Sequence, residues 1–246
     1  MVREKSKRFT QNESRYYSSF QHYIFLDIEP SYFFLLFLYK RHMSEKKTHW
    51  ETVYNTKQPN EVSWTQDVPQ TSLDFIHSFN LPKTARIIDI GGGDSKLVDF
   101  LLDEGYENVT VLDISEKALE RAKSRLGERA DKITWVASDI AEFAPSINYD
   151  VWHDRATFHF LTTPDQIATY IAIARTAVDG YMTIGTFSEN GPKKCSGLEI
   201  RQYSEEQLQE QLTIGFDKVR CVTEDHITPF NTTQNFLFCS FKKKAS

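Results

Sequence analysis

The sequence predicts an α/β fold in which a mostly parallel sheet is covered by helices on both faces. Short apolar runs alternate with stretches of helical spacing after about residue 85, a pattern typical of βαβ units. The first of these runs ends at three glycines, Gly91–Gly93, as a buried strand does when it leads into a ligand-binding turn. With 246 residues and 40% hydrophobic side chains, the chain is long enough for one such domain.

The central part of the chain alternates strands with helices. The predicted strands are Ala85–Ile90, Val109–Leu112, Ile133–Val136, Tyr149–Trp152 and Tyr181–Phe187. Apolar residues recur at helical spacing in the stretches Lys96–Glu104, Ser115–Leu126 and Pro164–Val178. Ser115 is a suitable N-cap for the second of these helices. This order of elements predicts a parallel sheet with crossover helices.

A last helix and two strands follow. Ser204 and Gln207 have the spacing of a capping box, which predicts a helix start. Lys218–Glu224 and Asn235–Phe241 are strand candidates close enough in sequence to form an antiparallel pair. No internal repeat or linker interrupts residues 44–246, so we predict one domain there.

The amino-terminal segment differs in composition from the rest. Residues 1–43 hold seven Lys/Arg and four Asp/Glu, a net charge of +3, whereas the remainder carries −8. The apolar run Tyr32–Tyr39 is shorter than the ~20 residues of a membrane span, and the basic residues after it do not fit a signal-peptide cleavage site. Three interpretations stay open: a helical arm, a surface anchor, or sequence upstream of a true start at Met43. The sequence favours the last, so we expect a doubtful or poorly ordered extension at 1–42 and a domain at 43–246.

Composition also excludes several classes of protein. The net charge of −5 argues against a nucleic-acid partner. The three cysteines, Cys195, Cys221 and Cys239, are an odd and sparse set that predicts no disulfide framework, so we expect a reducing, cytoplasmic location. We expect Cys221 and Cys239 to be core residues. No Cys or His spacing fits zinc, so no metal site is predicted.

The most informative motif is Asp89-Ile90-Gly91-Gly92-Gly93-Asp94-Ser95, directly after the first predicted strand. Its glycines allow a ligand to approach the backbone closely. A dinucleotide fingerprint requires a third glycine where this chain has Lys96, and the lysine motif of a P-loop is absent. Asp89 and Asp94 would repel a pyrophosphate, whereas Asp89 suits a ligand with an amino group. We therefore count Asp89, Gly91 and Gly93 as ligand-binding candidates.

Two further acids follow the next two strands. Asp113, succeeded by Ile114, ends the second strand 22 residues after Gly91, where a carboxylate can accept both hydroxyls of a ribose. Asp139 and Ile140 follow the third strand, where a carboxylate can accept an exocyclic adenine amine and an apolar side chain can pack on the ring. Together with the glycines, they predict a nucleoside site.

The segments DIGGGDS, VTVLDIS, WVASDI and YDVWHD, in this order, resemble the class I S-adenosylmethionine-dependent methyltransferases over roughly residues 48–241. The resemblance implies a Rossmann-like sheet of seven strands with the last strand antiparallel, S-adenosyl-L-methionine as the cofactor, and methyl transfer as the activity. Ser95 departs from the pattern, because many members have a third glycine there.

A finer resemblance concerns the segment before the first strand. Trp50 and Tyr54, followed by Trp64, are similar to the entry segment of the methyltransferase-like branch, which includes lysine methyltransferases of elongation factor 1A. By that similarity the three aromatic side chains close over the methionine end of the cofactor, where aromatic faces attract a sulfonium. The carboxyl half also resembles bacterial methyltransferase domain proteins, which implies no particular substrate.

The segment His153–Phe160 follows the fourth strand, and we expect it to line the methyl-transfer cleft. Asp154 and Arg155 are placed to meet the methionine end of the cofactor, and His159 has the chemistry to take a proton from the acceptor. Asp154 and His159 are thus the candidate catalytic residues. A structural Asp154–Arg155 pair and a packed His159 stay open as alternatives. Cys195 is either a nucleophile or, more often for such a position, a packed small residue.

These observations predict an S-adenosylmethionine-dependent methyltransferase that acts on a small molecule or on a protein side chain. The small molecule leads slightly, because the chain has no added recognition domain. The alternatives are a nucleotide-binding oxidoreductase and a non-catalytic binding protein on the same scaffold. No oligomeric state is predicted.

Overall fold

The computed structural model describes residues 45–245. Residues 46–245 belong to one compact unit. The predicted extension at 1–42 lies outside the described residues, and its boundary stays a prediction.

The elements alternate as the sequence predicts. The chain starts in helix α1 (45–56), a 3₁₀ turn (Pro59–Glu61) and helix α2 (Gln70–Ser78). The alternating part comprises β1 (Arg86–Ile90), α3 (Leu97–Asp103), β2 (Asn108–Asp113), α4 (Glu116–Leu126), β3 (Ile133–Ala137), β4 (Tyr149–Arg155), α5 (Pro164–Ala177) and β5 (Val178–Phe187). A short hairpin follows, β6 (Lys194–Cys195) with β7 (Leu198–Glu199), and then α6 (Glu205–Leu212), β8 (Phe216–Ile227) and β9 (Thr233–Lys243). Ser115, Thr163 and Ser204 cap α4, α5 and α6 with their side chains.

Seven strands form one sheet in the order β3-β2-β1-β4-β5-β9-β8. The first five strands are parallel, and β9 is antiparallel to both β5 and β8. This confirms the predicted seven-stranded, mostly parallel sheet with its last strand antiparallel. The chain builds outward from β1 to β3 and then returns to add β4 on the other side of β1. Ligands bind in open α/β sheets at such a reversal of strand order, outside the carboxyl ends of the strands.

Each face of the sheet buries its own core. On one face, α5 and α6 pack Tyr170 and Leu208 against Trp152 and its neighbours. On the other face, α2, α3 and α4 pack against Ile87 and Val111. The two faces follow from the strand period of two, which sends alternate residues of every strand to opposite sides.

The sequence analysis did not predict α2 or the β6–β7 hairpin. Helix α2 follows Pro69 without a side-chain cap, and its buried apolar residues are only Leu73, Phe75 and Ile76. The hairpin strands have two residues each, too few to show a period. Both elements are therefore stabilised by tertiary packing, which a local pattern does not reveal.

One disulfide is present that was not predicted from the sequence. Cys221 in β8 and Cys239 in β9 face each other directly in the strand register and form a disulfide. Cys239 is buried as predicted, whereas Cys221 is partly exposed. Their separation of 18 residues carries no signal, because the pairing depends on the exact register of two long strands. Cys195 is free and buried.

No helix within residues 45–245 has both the length and the apolar character to cross a bilayer. Over the same residues, no cluster of three or more His, Cys, Asp or Glu side chains is arranged to hold a metal ion.

Candidate functional site

A cavity of about 690 Å³ lies at the carboxyl ends of the central strands, where the sheet order reverses. Its size falls in the range of small-ligand sites. Ten of the residues predicted from the sequence line it: Trp50, Tyr54, Trp64, Asp89, Gly91, Asp113, Ile114, Asp139, Ile140 and Arg155. Segments far apart in sequence thus meet around one space.

The glycine turn, Gly91–Gly93, forms the floor of the cavity after β1. Gly91 and Gly93 have positive φ angles of 63° and 48°, which side chains rarely tolerate. A Cβ atom on Gly93 would lie 2.7 Å from the Tyr54 hydroxyl and 3.0 Å from Asp113 Oδ2. Any side chain on Gly93 would therefore fill the space between the turn and the Asp113 carboxylate.

Asp113 is a buried carboxylate beside that turn. The backbone N–H of Ser115 donates to its Oδ1 over 2.8 Å. Burial raises the pKa of Asp113 to about 7, although the N–H groups of Ser115 and Gly93 oppose the rise and the charges of Asp89 and Glu51 add to it. The hydrogen bonds from the protein do not fully offset the cost of burying this charge. Ligand hydroxyls that donate to the carboxylate would add the further hydrogen bonds.

Asp139 and Ile140 border the cavity beyond β3. Asp139 Oδ1 accepts from the backbone N–H of Ala141 over 2.8 Å, and Ile140 is buried. The cavity is thus bordered by a glycine turn after β1, a buried acid at the end of β2, and an acid next to an apolar side chain after β3.

A cluster of aromatic side chains lines another part of the cavity and reaches the glycine turn through Tyr54. Trp50 lies 6.4 Å from Tyr54, 5.7 Å from Trp64 and 5.2 Å from Phe160, measured between ring centroids. Phe160 was not predicted as a site residue. The four rings form a cluster from α1, the following loop and the turn after β4, as expected of aromatic groups that enclose a ligand.

Helix α1 is fastened to the start of α4 by Glu51. Its carboxylate accepts from the Ser115 hydroxyl and from the backbone N–H groups of Glu116 and Lys117, over 3.0, 2.9 and 3.1 Å. An anion at the first turn of a helix is also favoured by the helix dipole. Glu51 therefore holds the helix that carries Trp50 and Tyr54 against the cavity, a role the sequence motif did not show.

Replacing Glu51 by glutamine should loosen α1. The amide keeps one acceptor oxygen but loses the charge, so we expect a cost of about 1 kcal/mol and faster hydrogen exchange in residues 45–56. Glu120→Gln is the matched control, because Glu120 pairs with Lys117 at the surface. Hydrogen-exchange mass spectrometry measures the effect, and equal exchange in both variants would contradict the anchoring role.

The loop after α1 is also held by side chains. Arg155 Nη1 donates to the carbonyl oxygen of Trp64 over 2.9 Å, and Gln66 Nε2 donates to Glu224 Oε1 over 3.2 Å. His226 Nε2 donates to the carbonyl oxygen of Ser63 over 2.7 Å. These contacts fix Trp64 over the cavity.

The comparisons with known proteins agree with this geometry. Residues 87–180 match the family model described as a methyltransferase domain. This match supports the resemblance to class I S-adenosylmethionine-dependent methyltransferases that the sequence motifs indicate.

This chain matches its curated relatives over only part of their length. The chain is 32% identical over 131 residues to a malonyl-[acyl-carrier protein] O-methyltransferase of Anoxybacillus flavithermus, which covers 52% of this chain and 49% of that protein. It is 24% identical over 128 residues to the mouse (Mus musculus) eEF1A lysine and N-terminal methyltransferase, which covers 52% of this chain and 18% of that protein. The chain therefore spans less than half the length of these relatives.

A solved structure supports the fold. The Burkholderia thailandensis 1,6-didemethyltoxoflavin-N1-methyltransferase, crystallised with its substrate and S-adenosylhomocysteine, aligns with a TM-score of 0.59 at 20% identity. The alignment covers 89% of this chain and 93% of that one.

Of the predicted residues, three do not line the cavity: Gly93, Asp154 and His159. Gly93 lies directly below it, beside Tyr54 and Asp113. The two candidate catalytic residues lie elsewhere.

Asp154 is on the opposite face of the sheet from the cavity residues. It is fully buried, and it accepts from the N–H groups of Thr157 and Phe158 over 3.1 Å each and from the Tyr170 hydroxyl over 2.8 Å. Burial raises its pKa to about 6. Because strand residues alternate faces, Asp154 and Arg155 point to opposite sides, and Asp154 closes the turn after β4.

His159 is also buried, outside the cavity. Its ring stacks on Phe187 at 4.6 Å, and neither ring nitrogen has a hydrogen-bond partner. Burial, assisted by the nearby charge of Arg155, lowers its pKa to about 3. An imidazole of that pKa in an apolar pocket is a poor proton acceptor at neutral pH.

Replacing His159 by phenylalanine should stabilise the protein, most of all in acid. The folded-state pKa of about 3 is below the unfolded value of about 6.5. The unfolded chain therefore binds more protons between these pH values, and stability is lost as the pH falls through that window. We expect the gain in free energy of unfolding to be larger at pH 5 than at pH 8 by about 2 kcal/mol.

Urea unfolding at the two pH values measures this gain. His77→Gln, at an exposed histidine that contacts Glu104, is the control and should show no gain at pH 5. A gain for His159→Phe that is equal at pH 5 and pH 8 would contradict the neutral, buried state of His159.

Two candidates remain, Cys195 and Arg155, and both line the cavity. Burial raises the pKa of the Cys195 thiol to about 12, so it is no nucleophile at neutral pH. Burial lowers the pKa of Arg155 to about 10, which leaves it charged.

Proposed function

We propose that this protein transfers a methyl group from S-adenosylmethionine to a small molecule or to a protein side chain. The observation that carries the proposal is the buried carboxylate of Asp113 beside the glycine turn, inside a cavity that also collects Asp139 and the aromatic cluster. The residues present fit the cofactor, because Gly93 leaves open the space that any side chain would fill.

The adenosine part is assigned to the β1–β3 side of the cavity. Asp113 would accept both ribose hydroxyls. Asp139 would accept the adenine amine, while Ile114 and Ile140 offer apolar contact to the base. Gly91 and Gly93 let the backbone approach.

The amino-acid end is assigned to the β1–β4 side. Asp89 would bind the ammonium group. Trp50, Tyr54 and Trp64 would face the sulfonium. Arg155 was also predicted to meet this end of the cofactor. Its position in the cavity lining, with a hydrogen bond to the Trp64 carbonyl oxygen, is compatible with that role.

The bound cofactor supplies an electrophilic methyl group on a neutral leaving group. The chain's own task is then alignment of the acceptor in line with that methyl group and exclusion of water. The aromatic cluster and the fastened loop 63–66 serve that task. A dedicated base is not required, so the burial of His159 and Asp154 leaves the proposed reaction intact.

A small-molecule acceptor is preferred to a protein side chain, because aromatic side chains cover the cavity. Nucleic acid is not proposed, since residues 44–246 carry a net charge of −8. An oxidoreductase is not favoured, because the third glycine of the dinucleotide fingerprint is replaced by Lys96, which pairs with Asp67.

Radiolabelled S-adenosylmethionine incubated with the full chain and a cell extract tests the proposal. We expect label in the low-mass fraction, and none with Asp113→Asn. Label in the protein fraction would favour a side-chain acceptor, and no label in either fraction, with the cofactor intact, would contradict methyl transfer.

The cytoplasmic location also stays a proposal, and the disulfide allows a test. In a reducing compartment Cys221 and Cys239 would be mostly thiols. Acid quenching of intact cells, followed by alkylation of the denatured protein, should then label all three cysteines. Labelling of Cys195 alone would contradict a cytoplasmic location.

A further inference from the structure

Three buried polar side chains form a hydrogen-bonded chain under the cavity. His153 Nδ1 lies 2.7 Å from Asp89 Oδ1, and His153 Nε2 lies 2.8 Å from Ser72 Oγ. Their exposed fractions are 3% for Asp89, 2% for His153 and 1% for Ser72. All three border the cavity. His153 begins the segment that the sequence predicts to line the cleft, but its contacts with Asp89 and Ser72 were not predicted.

The protonation pattern of this chain follows from its groups. An ionised Asp89 only accepts hydrogen bonds, so His153 Nδ1 carries the proton. In a neutral imidazole Nε2 is then the acceptor, and the Ser72 hydroxyl donates to it. Ser72 therefore selects the tautomer that donates to Asp89, in the way that outer groups orient metal-binding histidines.

The same three residue types act as a nucleophilic triad in hydrolases. Here the serine is 1% exposed and lies in the first turn of α2. Its hydroxyl donates its hydrogen bond to the imidazole. The arrangement therefore acts on the orientation of Asp89.

The effect on Asp89 is directional. His153 binds Oδ1, and Oδ2 is turned toward the glycine turn, since a Cβ atom on Gly92 would lie 2.6 Å from it. The register of β1 and β4 places Asp89 and His153 directly side by side. A carboxylate fixed at one oxygen presents the other in a single orientation, which lowers the cost of binding a cation.

We propose that His153 and Ser72 are positioning residues that orient Asp89 to bind the ammonium group of the cofactor's amino-acid end. This inference rests on the proposed function, because it assigns a partner to Asp89 within the same site. It makes a prediction that needs no knowledge of the methyl acceptor.

Two ligands separate this role from a merely structural one. S-adenosylhomocysteine has the amino-acid end, whereas 5′-deoxy-5′-methylthioadenosine has the same nucleoside and a thioether without it. Calorimetric titration of the full chain with both ligands measures the ratio of their dissociation constants. In the wild type, S-adenosylhomocysteine should bind more tightly.

We expect His153→Leu to weaken S-adenosylhomocysteine about tenfold, as hydrogen bonds to charged groups suggest, and to leave methylthioadenosine unchanged. His153→Asn should restore most of the affinity, because its amide nitrogen can donate to Asp89 from near the position of Nδ1. Ser72→Ala should weaken S-adenosylhomocysteine less, about threefold, because the imidazole keeps its contact with Asp89 and loses only the group that fixes its tautomer.

Equal losses for both ligands would show a structural role and overturn the inference, as would undiminished binding of S-adenosylhomocysteine by Ser72→Ala and His153→Leu together. If His153→Leu does not fold, Ser72→Ala and His153→Asn provide the test, through the same ratio of the dissociation constants of the two ligands. A wild-type protein that binds neither ligand would instead contradict the proposed function itself.

Discussion

Replacing Asp113 by asparagine is expected to weaken S-adenosylhomocysteine about 100-fold and, in the absence of ligand, to stabilise the protein. The loss of affinity follows from the role of the carboxylate as acceptor for two ribose hydroxyls, each a hydrogen bond to a charged group. The gain in stability follows from burial, which raises the pKa of Asp113 to about 7.

The gain should depend on pH. The folded-state pKa of Asp113, about 7, is above the unfolded value of about 4. The folded protein therefore binds more protons between these pH values, and stability is lost as the pH rises through the window. At pH 8 the asparagine variant should be more stable than the wild type by about 4 kcal/mol, and the difference should shrink toward pH 4.

Denaturant unfolding at pH 4, 6 and 8 and calorimetric titration measure the two effects on the same variant. Asp103→Asn is the control, because Asp103 is an exposed acid paired with Arg129, and it should change neither quantity. A variant that binds ligand normally, or that loses stability at pH 8, would contradict the account of Asp113.

Replacing Gly91 by alanine is expected to cost about 3 kcal/mol of folding free energy and to abolish cofactor binding. The φ angle of 63° costs a side chain about 1 kcal/mol. The new Cβ would also lie 1.8 Å from Thr157 Oγ1, so the turn after β4 must move, at about 2 kcal/mol. That turn leads to Phe160 of the aromatic cluster.

A matched glycine separates the two costs. Gly105 has a φ angle of 85° and open space around its would-be Cβ, so Gly105→Ala should cost only about 1 kcal/mol and leave binding unchanged. Urea unfolding of both variants gives the comparison. Equal costs would mean that contact with Thr157 has no energetic consequence.

The sequence could predict the sheet because its signals are local. The strands from Arg86–Ile90 onward are short apolar runs, and Gly91–Gly93, Asp113 and Asp139 occur at the strand ends that parallel pairing brings to one edge. The capping serines are local signals too. These features require no knowledge of contacts between distant residues.

The rest depends on register and on packing across the sheet. The face to which Asp154 points is set by the pairing of Ile90 with Asp154, and the disulfide by the pairing of Cys221 with Cys239. The sequence suggests a catalytic His159 because histidine often acts as an acid or base. In the structure this side chain is buried away from water. Conversely, the sequence places His153 in the cleft segment, but its contact with Asp89 follows only from the strand register.

The most direct test of the central claim is a calorimetric titration of the full chain with S-adenosylhomocysteine and, separately, with NAD⁺. We predict one bound S-adenosylhomocysteine per chain, lost with Asp113→Asn, and no binding of NAD⁺. Binding of NAD⁺ without binding of S-adenosylhomocysteine would contradict the proposed function.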